Sequence, residues 1–349
     1  MLGSIWIAVV GLALQSQAAL SGSTALLDQG SGLSDEGYRA YLPRLRADAE
    51  RAGIRRDTLD RVFPALTFSA RTIQLDRSQP GGTPGASSGA NPPFAPYRAR
   101  HLTQPLIDRG RARYAENLGP LREISRRTGV PPQFMIAIWG KETSYGQIMG
   151  DFDLLNSLSS LAYEGRRREL FTGEFVATLR MVERGFPRDE LKGSWAGAAG
   201  HPQFLPSVYI RLAADGDGDG RADIWRSHLD GLASIANYLK NAGWRPGLPW
   251  GAAVRVPAGF DRGAVANRMR APRCPAVFAR HSRWLTAAEW RRMGIPSSLP
   301  DDAMASLIEP DGPNATAYLT TNNYRVILDY NCSNFYALTV ALLADSVAR

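Results

Sequence analysis

The sequence predicts a mainly helical fold of the α+β class, and three observations carry that expectation. Residues 134–139 (Phe134, Met135, Ile136, Ala137, Ile138, Trp139) are apolar almost all round, as in a helix buried in a core. Leu154, Leu155, Leu158 and Leu161 recur at three- and four-residue spacing, and residues 171–182 repeat that pattern. Beyond Gly243-Trp244 the texture changes. There, residues 249–257 and 318–330 read as short strands, with helices at 285–293 and 335–347.

Residues 2–14 form a short apolar run ending in small residues up to Ala19, which reads as a cleaved secretory signal peptide over 1–19. Its first residues lack Lys and Arg, so an uncleaved anchor or a misplaced start is the alternative. No cysteine follows the run, so lipid attachment is not expected. Ser34-Asp35-Glu36 opens an amphipathic helix with Tyr38, Tyr41, Leu42 and Leu45 on one face, and a second short helix covers 58–63. Residues 78–96 collapse to Gly, Pro, Ser and Ala, a composition that buries no core and reads as a loop. Residues 106–127 then read as one long basic helix, or two, ending at Gly129.

The stretch 131–150 organises the rest. Pro131-Pro132 opens a helix at no hydrogen-bond cost, because the first helical amides have no intrahelical partner. The apolar run then delivers Glu142 just before Gly146 and Gly150. Apolar surroundings and the negative end of the helix dipole both disfavour a carboxylate, so Glu142 should keep its proton toward neutral pH and serve as a general acid. The plainer reading is a solvated helix-end glutamate. Further on, Ser194 to Gly200 is small and glycine-rich, suited to close packing or to approach by a ligand. Helices are expected at 207–213 and 229–241.

Between those helices, Asp215, Asp217, Asp219 and Gly220 match the opening of an EF-hand loop, whose alternate oxygens wrap a hard cation. Asp223 supplies the ninth position. The twelfth is Arg226 where a glutamate is needed, and Asp230 would replace it in a longer loop. A structural Ca²⁺ site over 215–230 is the reading; a solvated Asp-Gly turn is the alternative. Cys274 and Cys332, an even pair in an exported chain, are compatible with a disulfide, or with two buried thiols.

The 349 residues, 44% hydrophobic and 21% charged, are those of a folded protein of two or three compact units. A net charge of +8 favours an anionic partner. With no zinc-finger, homeodomain or RNP pattern, nucleic acid is not the partner expected.

Five motifs stand in a fixed order: Glu142-Thr143-Ser144-Tyr145-Gly146, Lys192 to Gly200, Gln203-Phe204-Leu205-Pro206-Ser207, the Asp-Gly run, and Ala236-Asn237-Tyr238-Leu239. From about residue 34 onward, apart from the 78–96 insert, the chain resembles the bacterial lytic murein transglycosylase B family. The resemblance implies a lysozyme-like catalytic core over 97–248, preceded by a helical part over 20–77 and followed by a small β-containing part over 249–349. It further implies cleavage of the β-1,4 bond between N-acetylmuramic acid and N-acetylglucosamine in peptidoglycan, with a 1,6-anhydro product and no catalytic cofactor. Glu142 would act alone, as acid and then as base. Ser194 and Gln203 fall where family members bind sugar and position the acid. Tyr97, Tyr238, Tyr330, Asn331 and Tyr336 fall on cleft positions, and Arg166 and Arg167 where arginines meet the acidic stem peptide. A monomer working on glycan strands in the periplasm, without a membrane anchor once the leader is cut, is expected. The chain departs from the family at His201-Pro202, where the family commonly has a pair such as Tyr-Gly, so His201 touches substrate or reshapes the loop. It departs again at Leu170, which stands in place of an aromatic. A binding scaffold without turnover and a water-using lysozyme are the competing readings.

Overall fold

A computed structural model of the chain describes residues 32–78 and 92–349. The leader reading over 1–19 lies outside the described residues, as does most of the 78–96 insert.

Ser34 caps the first helix, α1 (Asp35–Arg51), by accepting from the Gly37 amide, and Tyr38, Tyr41 and Leu45 turn inward as the spacing requires. Two shorter helices follow, α2 (Arg56–Val62) and α3 (Ala70–Arg77). The helix α4 (Phe94–His101) begins inside the stretch read as loop, because Phe94 is buried against Tyr97 and Phe335. The basic segment is two helices, α5 (Gln104–Glu116) and α6 (Leu118–Thr128). They part at buried Asn117, whose amide side chain donates to Arg113 O and whose Oδ1 meets His228 Nε2.

At the centre lies α7 (Pro132–Thr143), with Met135, Ile136, Ala137 and Ile138 fully buried. A helix apolar on every side needs neighbours on every side. They are α5, α6, α11 (His228–Asn241) and α15 (Asn334–Val347). Full burial of each larger aliphatic side chain is worth about 1.5–3 kcal/mol, so this helix is fixed firmly within the fold. The helices α8 (Leu154–Glu164) and α9 (Arg168–Glu183) pack on each other, with α10 (Pro206–Leu212) against α9. Asp153 caps α8, and left-handed Gly165 ends it.

The last third carries a four-stranded antiparallel sheet in the order β3-β6-β5-β4, formed by Gly251–Val254, Ala317–Thr320, Met304–Ile308 and Leu285–Thr286 respectively. A two-residue pair, β1 (Phe152–Asp153) with β2 (Lys192–Gly193), stands apart in the helical part. The sheet has its own core around Trp290, Ile295, Leu307 and Leu319, with α13 (Ala287–Arg292) closed by a Thr286–Glu289 capping box. A short helix, α12 (Pro275–Phe278), precedes it.

The strand read over 318–330 is corrected. Extended backbone stops at Thr320, and Asn322–Tyr330 is a helix, α14. Thr321 Oγ1 accepts from the Asn323 amide and starts it, and Tyr324, Ile327 and Leu328 bury one helical face. Aromatic and β-branched composition favoured a strand there, and packing against the helical core overrode it. A disulfide joins Cys274 to Cys332, Cα–Cα 5.4 Å, tying the approach to α12 to the turn between α14 and α15. Among the described residues no single helix is long and apolar enough to cross a membrane.

Candidate active site

Glu142 occupies the last turn of α7 and is 2% exposed. Tyr336, from α15, donates its hydroxyl to Glu142 Oε1 at 2.6 Å. The second oxygen, Oε2, has no protein partner, yet it is not sealed from solvent. Burial pushes the carboxyl up to about 7, against the opposing pull of the Tyr336 hydroxyl and the Lys141 charge. The group is therefore half-protonated near neutral pH with one oxygen free to give or take a proton. Glu174 is the instructive contrast. It too is buried and shifted up, but its oxygens accept from the Ser207 amide (2.9 Å) and hydroxyl (2.7 Å), so it caps α10.

The backbone beyond Glu142 stops the helix abruptly. Ser144, Tyr145 and Gly146 are all left-handed, with φ of 50°, 64° and 82°. Two non-glycine residues in this region are strained, and such strain persists only where packing over-determines it. Here Tyr145 is buried with its hydroxyl on Leu106 O, and Thr143 Oγ1 accepts from the Gly146 amide. A side chain at Gly146 would meet the His201 ring at 2.6 Å.

The segment 193–204 folds into a tight hairpin: Ser194 N–H donates to Ala198 O (2.7 Å) and Ala199 N–H to Phe204 O (2.9 Å). It carries two of the expected sugar contacts. Ser194 Oγ accepts from the Ala198 amide, leaving its proton to give. Gln203, at φ 51°, donates Nε2 to Met149 O and Gly200 O, so its amide oxygen is the open end. Gly150 lies directly on Gly193 and Ser194, where no Cβ fits.

The tyrosines assemble as a group, although their hydroxyls are turned to other uses. Tyr336 stacks on Tyr330 (6.5 Å between centroids, 12° apart), and Tyr330 packs against Tyr238 (4.7 Å). The Tyr330 hydroxyl donates to Pro202 O and the Tyr238 hydroxyl to Asp329 O, both at 2.6 Å. Asn331 is buried beside Tyr330. Tyr97 stands on the other side, its phenol pushed up to about 12 by burial and by the Glu142 charge.

Lys141 and His101 were not singled out in the sequence. Lys141 Nζ lies 3.2 Å from His101 Nδ1 and 5.3 Å from the Tyr97 ring centroid. Burial lowers the ammonium to about 8, Glu142 pulling the other way. Burial and the Lys141 charge lower His101 to about 4, so it is neutral. The available signal was the Tyr97–His101 pair at i,i+4 on one helix face, together with Lys141's place next to the acid.

His201 is a packed core residue: it accepts from the Trp139 indole N–H on Nδ1 (3.0 Å), is 8% exposed, and burial lowers it to about 4. Arg166 and Arg167 converge on buried Asp76, with Arg166 also on Glu164. In the acidic loop, Asp215, Asp217 and Asp230 bring carboxylate oxygens within 4.8 Å of one another. Asp219 and Asp223 stand outside this group, their oxygens accepting from the amides of Arg221 and of Trp225 and Arg226. The Arg226 guanidinium pairs with Glu190.

Comparison with known proteins places the chain in a family. The family model described as the transglycosylase SLT domain matches residues 37–345. The Escherichia coli K12 protein membrane-bound lytic murein transglycosylase B is 31% identical over 280 residues, 78% of this chain and 73% of its own. SltB3 of Pseudomonas aeruginosa, crystallised with NAG-anhNAM-pentapeptide, superposes with TM-score 0.78 at 37% identity, over 89% of this chain and 79% of that one. The E. coli lytic transglycosylase Slt35 in complex with calcium gives 0.69 at 25% identity, over 90% and 93%. The matched span runs from the first helix to the last, through the buried acid and its tyrosine, and the chain belongs to the lytic murein transglycosylases of the SLT-domain family.

Proposed function

We propose that the protein cleaves the β-1,4 bond between N-acetylmuramic acid and N-acetylglucosamine in peptidoglycan and leaves a 1,6-anhydro-muramic acid end. One observation carries the reading: a buried carboxyl lifted to about 7, with Tyr336 on one oxygen and the other open. Glu142 Oε2 protonates the glycosidic oxygen as the C1–O bond breaks. The acetamido oxygen of the same sugar bonds to C1 and takes the place of a carboxylate nucleophile. The ionised Glu142 then removes the proton of the C6 hydroxyl, whose oxygen attacks C1 and expels the acetamido oxygen.

Ser194 and the Gln203 amide oxygen would hold sugar hydroxyls. Tyr238 and Tyr330, their hydroxyls already bonded, would offer ring faces, while Tyr97 and Asn331 complete the cleft. Arg166 and Arg167, joined through Asp76, would present a fixed cationic pair to a stem peptide. We assign Asp215, Asp217 and Asp230 to a structural Ca²⁺, consistent with three convergent hard oxygens. The ion would hold the loop and take no part in the bond cleavage. Action in the periplasm, after export through the 1–19 leader, follows from the substrate.

Mass spectrometry of the products from purified sacculi tests the reading. Anhydro-muropeptides are expected. Reducing ends, one water heavier, would make the protein a lysozyme, and binding without release would make it a scaffold.

A further inference from the structure

Away from Glu142, between the end of α11 and the sheet, lies a cavity of about 580 Å³. Its wall includes Arg245, Leu248, Trp284, Asp302, Asn322 and Arg325. Arg325 is half-buried, with its guanidinium 3.6 Å from the Phe278 ring centroid and 5.4 Å from that of Trp284. Among the described residues its guanidinium has neither a hydrogen bond nor an ion pair, although the Asp329 carboxylate one turn further along α14 attracts it, and none of its nitrogens is sealed off. A guanidinium carried partly out of water, its faces on aromatics and its N–H edge open, is short of acceptors. Exposed Arg245 likewise has no ion pair, and the Trp284 indole N–H has no protein acceptor. Asn322, the first residue of α14, brings the positive end of that helix to the same wall. Asp302 is the one acid among the residues that line the cavity.

We propose that this cavity is a second binding site, for a short peptide carrying a free carboxylate and an ammonium group. The carboxylate lies between Arg325 and Arg245, in the fork geometry that guanidinium offers. The peptide plane rests on Trp284, and the ammonium reaches Asp302. That acid also sets the site against a phosphate dianion, which would gain from the arginines but be repelled at the rim. If the function proposed above holds, a stem peptide of the cell wall supplies this chemistry. The site also has a physical link to the catalytic centre. α14 is 9 residues long, about 13 Å; Arg325 sits toward its first end, and Tyr330, at its last, stacks on the tyrosine that bonds Glu142.

The test is a titration of the full chain, followed by the Trp284 indole N–H resonance, which the Trp284→Phe variant assigns. The probes are Nα-acetyl-lysyl-D-alanyl-D-alanine, its C-terminal amide, and inorganic phosphate. The acid peptide is expected to move the resonance saturably and the amide to bind at least tenfold more weakly. Arg245→Gln and Arg325→Gln should each raise Kd at least fivefold, the surface position of Arg245 keeping the fold intact. A resonance that no probe moves, that the amide moves as well as the acid, or that phosphate moves in preference to the peptide, would overturn the proposal. So would affinities unchanged in both arginine variants. Because the readout is binding, a failed product assay leaves this result standing on its own.

Discussion

The hydroxyl of Tyr336 donates to Oε1 of Glu142 at 2.6 Å across 194 residues of chain. This contact orients the carboxyl and partly offsets the burial that would otherwise hold it protonated. Tyr336→Phe removes a donor that favours the carboxylate, so Glu142 moves further up. The alkaline limb of the pH–activity profile should shift to higher pH, and kcat should fall about tenfold as orientation is lost. An unshifted profile would separate Tyr336 from the acid's titration.

Glu142→Gln should lower turnover by a factor on the order of 10²–10⁴ while binding to sacculi persists. It should also stabilise the fold at alkaline pH. The folded-state pKa, about 7, lies above the ordinary glutamate value of 4.5. Between these pH values the unfolded chain releases a proton that the folded chain keeps, so stability falls as pH rises and is lowest above 7. The gap is worth on the order of 3 kcal/mol. Denaturant midpoints at pH 4 and pH 8 check this: the variant should gain over wild type at pH 8 and not at pH 4.

Lys141→Met acts on the same group through charge. The ammonium lowers both Glu142 and His101, so its loss raises both. The alkaline limb should again move up, and the His101 titration, followed by NMR, should move toward the ordinary histidine range. A fixed His101 would break the link between the two side chains.

Calcium should raise the melting temperature by mass action on the folded state, by about 2.7 kcal/mol of stability at a hundredfold excess over Kd. Asp217→Asn should abolish the effect, because Asp217 is an exposed member of the convergent three. A melting temperature indifferent to both calcium and EDTA would remove the metal assignment.

Reduction of the Cys274–Cys332 bond, which closes a separation of 58 residues, should lower stability by about 4 kcal/mol in the chain-entropy view. Melting curves with and without reductant, set against the Cys274→Ser variant, measure it.

The burial of Glu142 was partly legible in the all-round apolar helix that carries it, but that stretch alone left a solvated helix-end glutamate open, and the acid reading leaned on the fixed order of five motifs spread along the chain. In the acidic loop the convergence of Asp215, Asp217 and Asp230 was legible from the spacing, whereas the turn that sets Asp219 and Asp223 outside the group was not. The partners of these groups were harder to read. Tyr336 could be placed in the cleft, but which oxygen it would touch depends on how α15 lies against α7. Lys141 and His101 meet through a helix pairing that no spacing encodes, and Arg166 and Arg167 looked free because Asp76 is ninety or so residues away. The helix at 322–330 was missed because strand-favouring residues fold against a core that only the rest of the chain provides.

The long separation between Glu142 and Tyr336 also has a meaning in time. At about 5–20 residues per second, the 194 residues between them take roughly 10–40 seconds to synthesise. Until then α15 is absent, α7 lacks one of the helices that enclose it, and the acid lacks its hydroxyl. A growing or truncated chain that stops short of residue 336 carries the glutamate but not the environment that tunes it. The fold thus builds a delay into an enzyme whose reaction breaks glycan strands: the acid waits for the partner that tunes it.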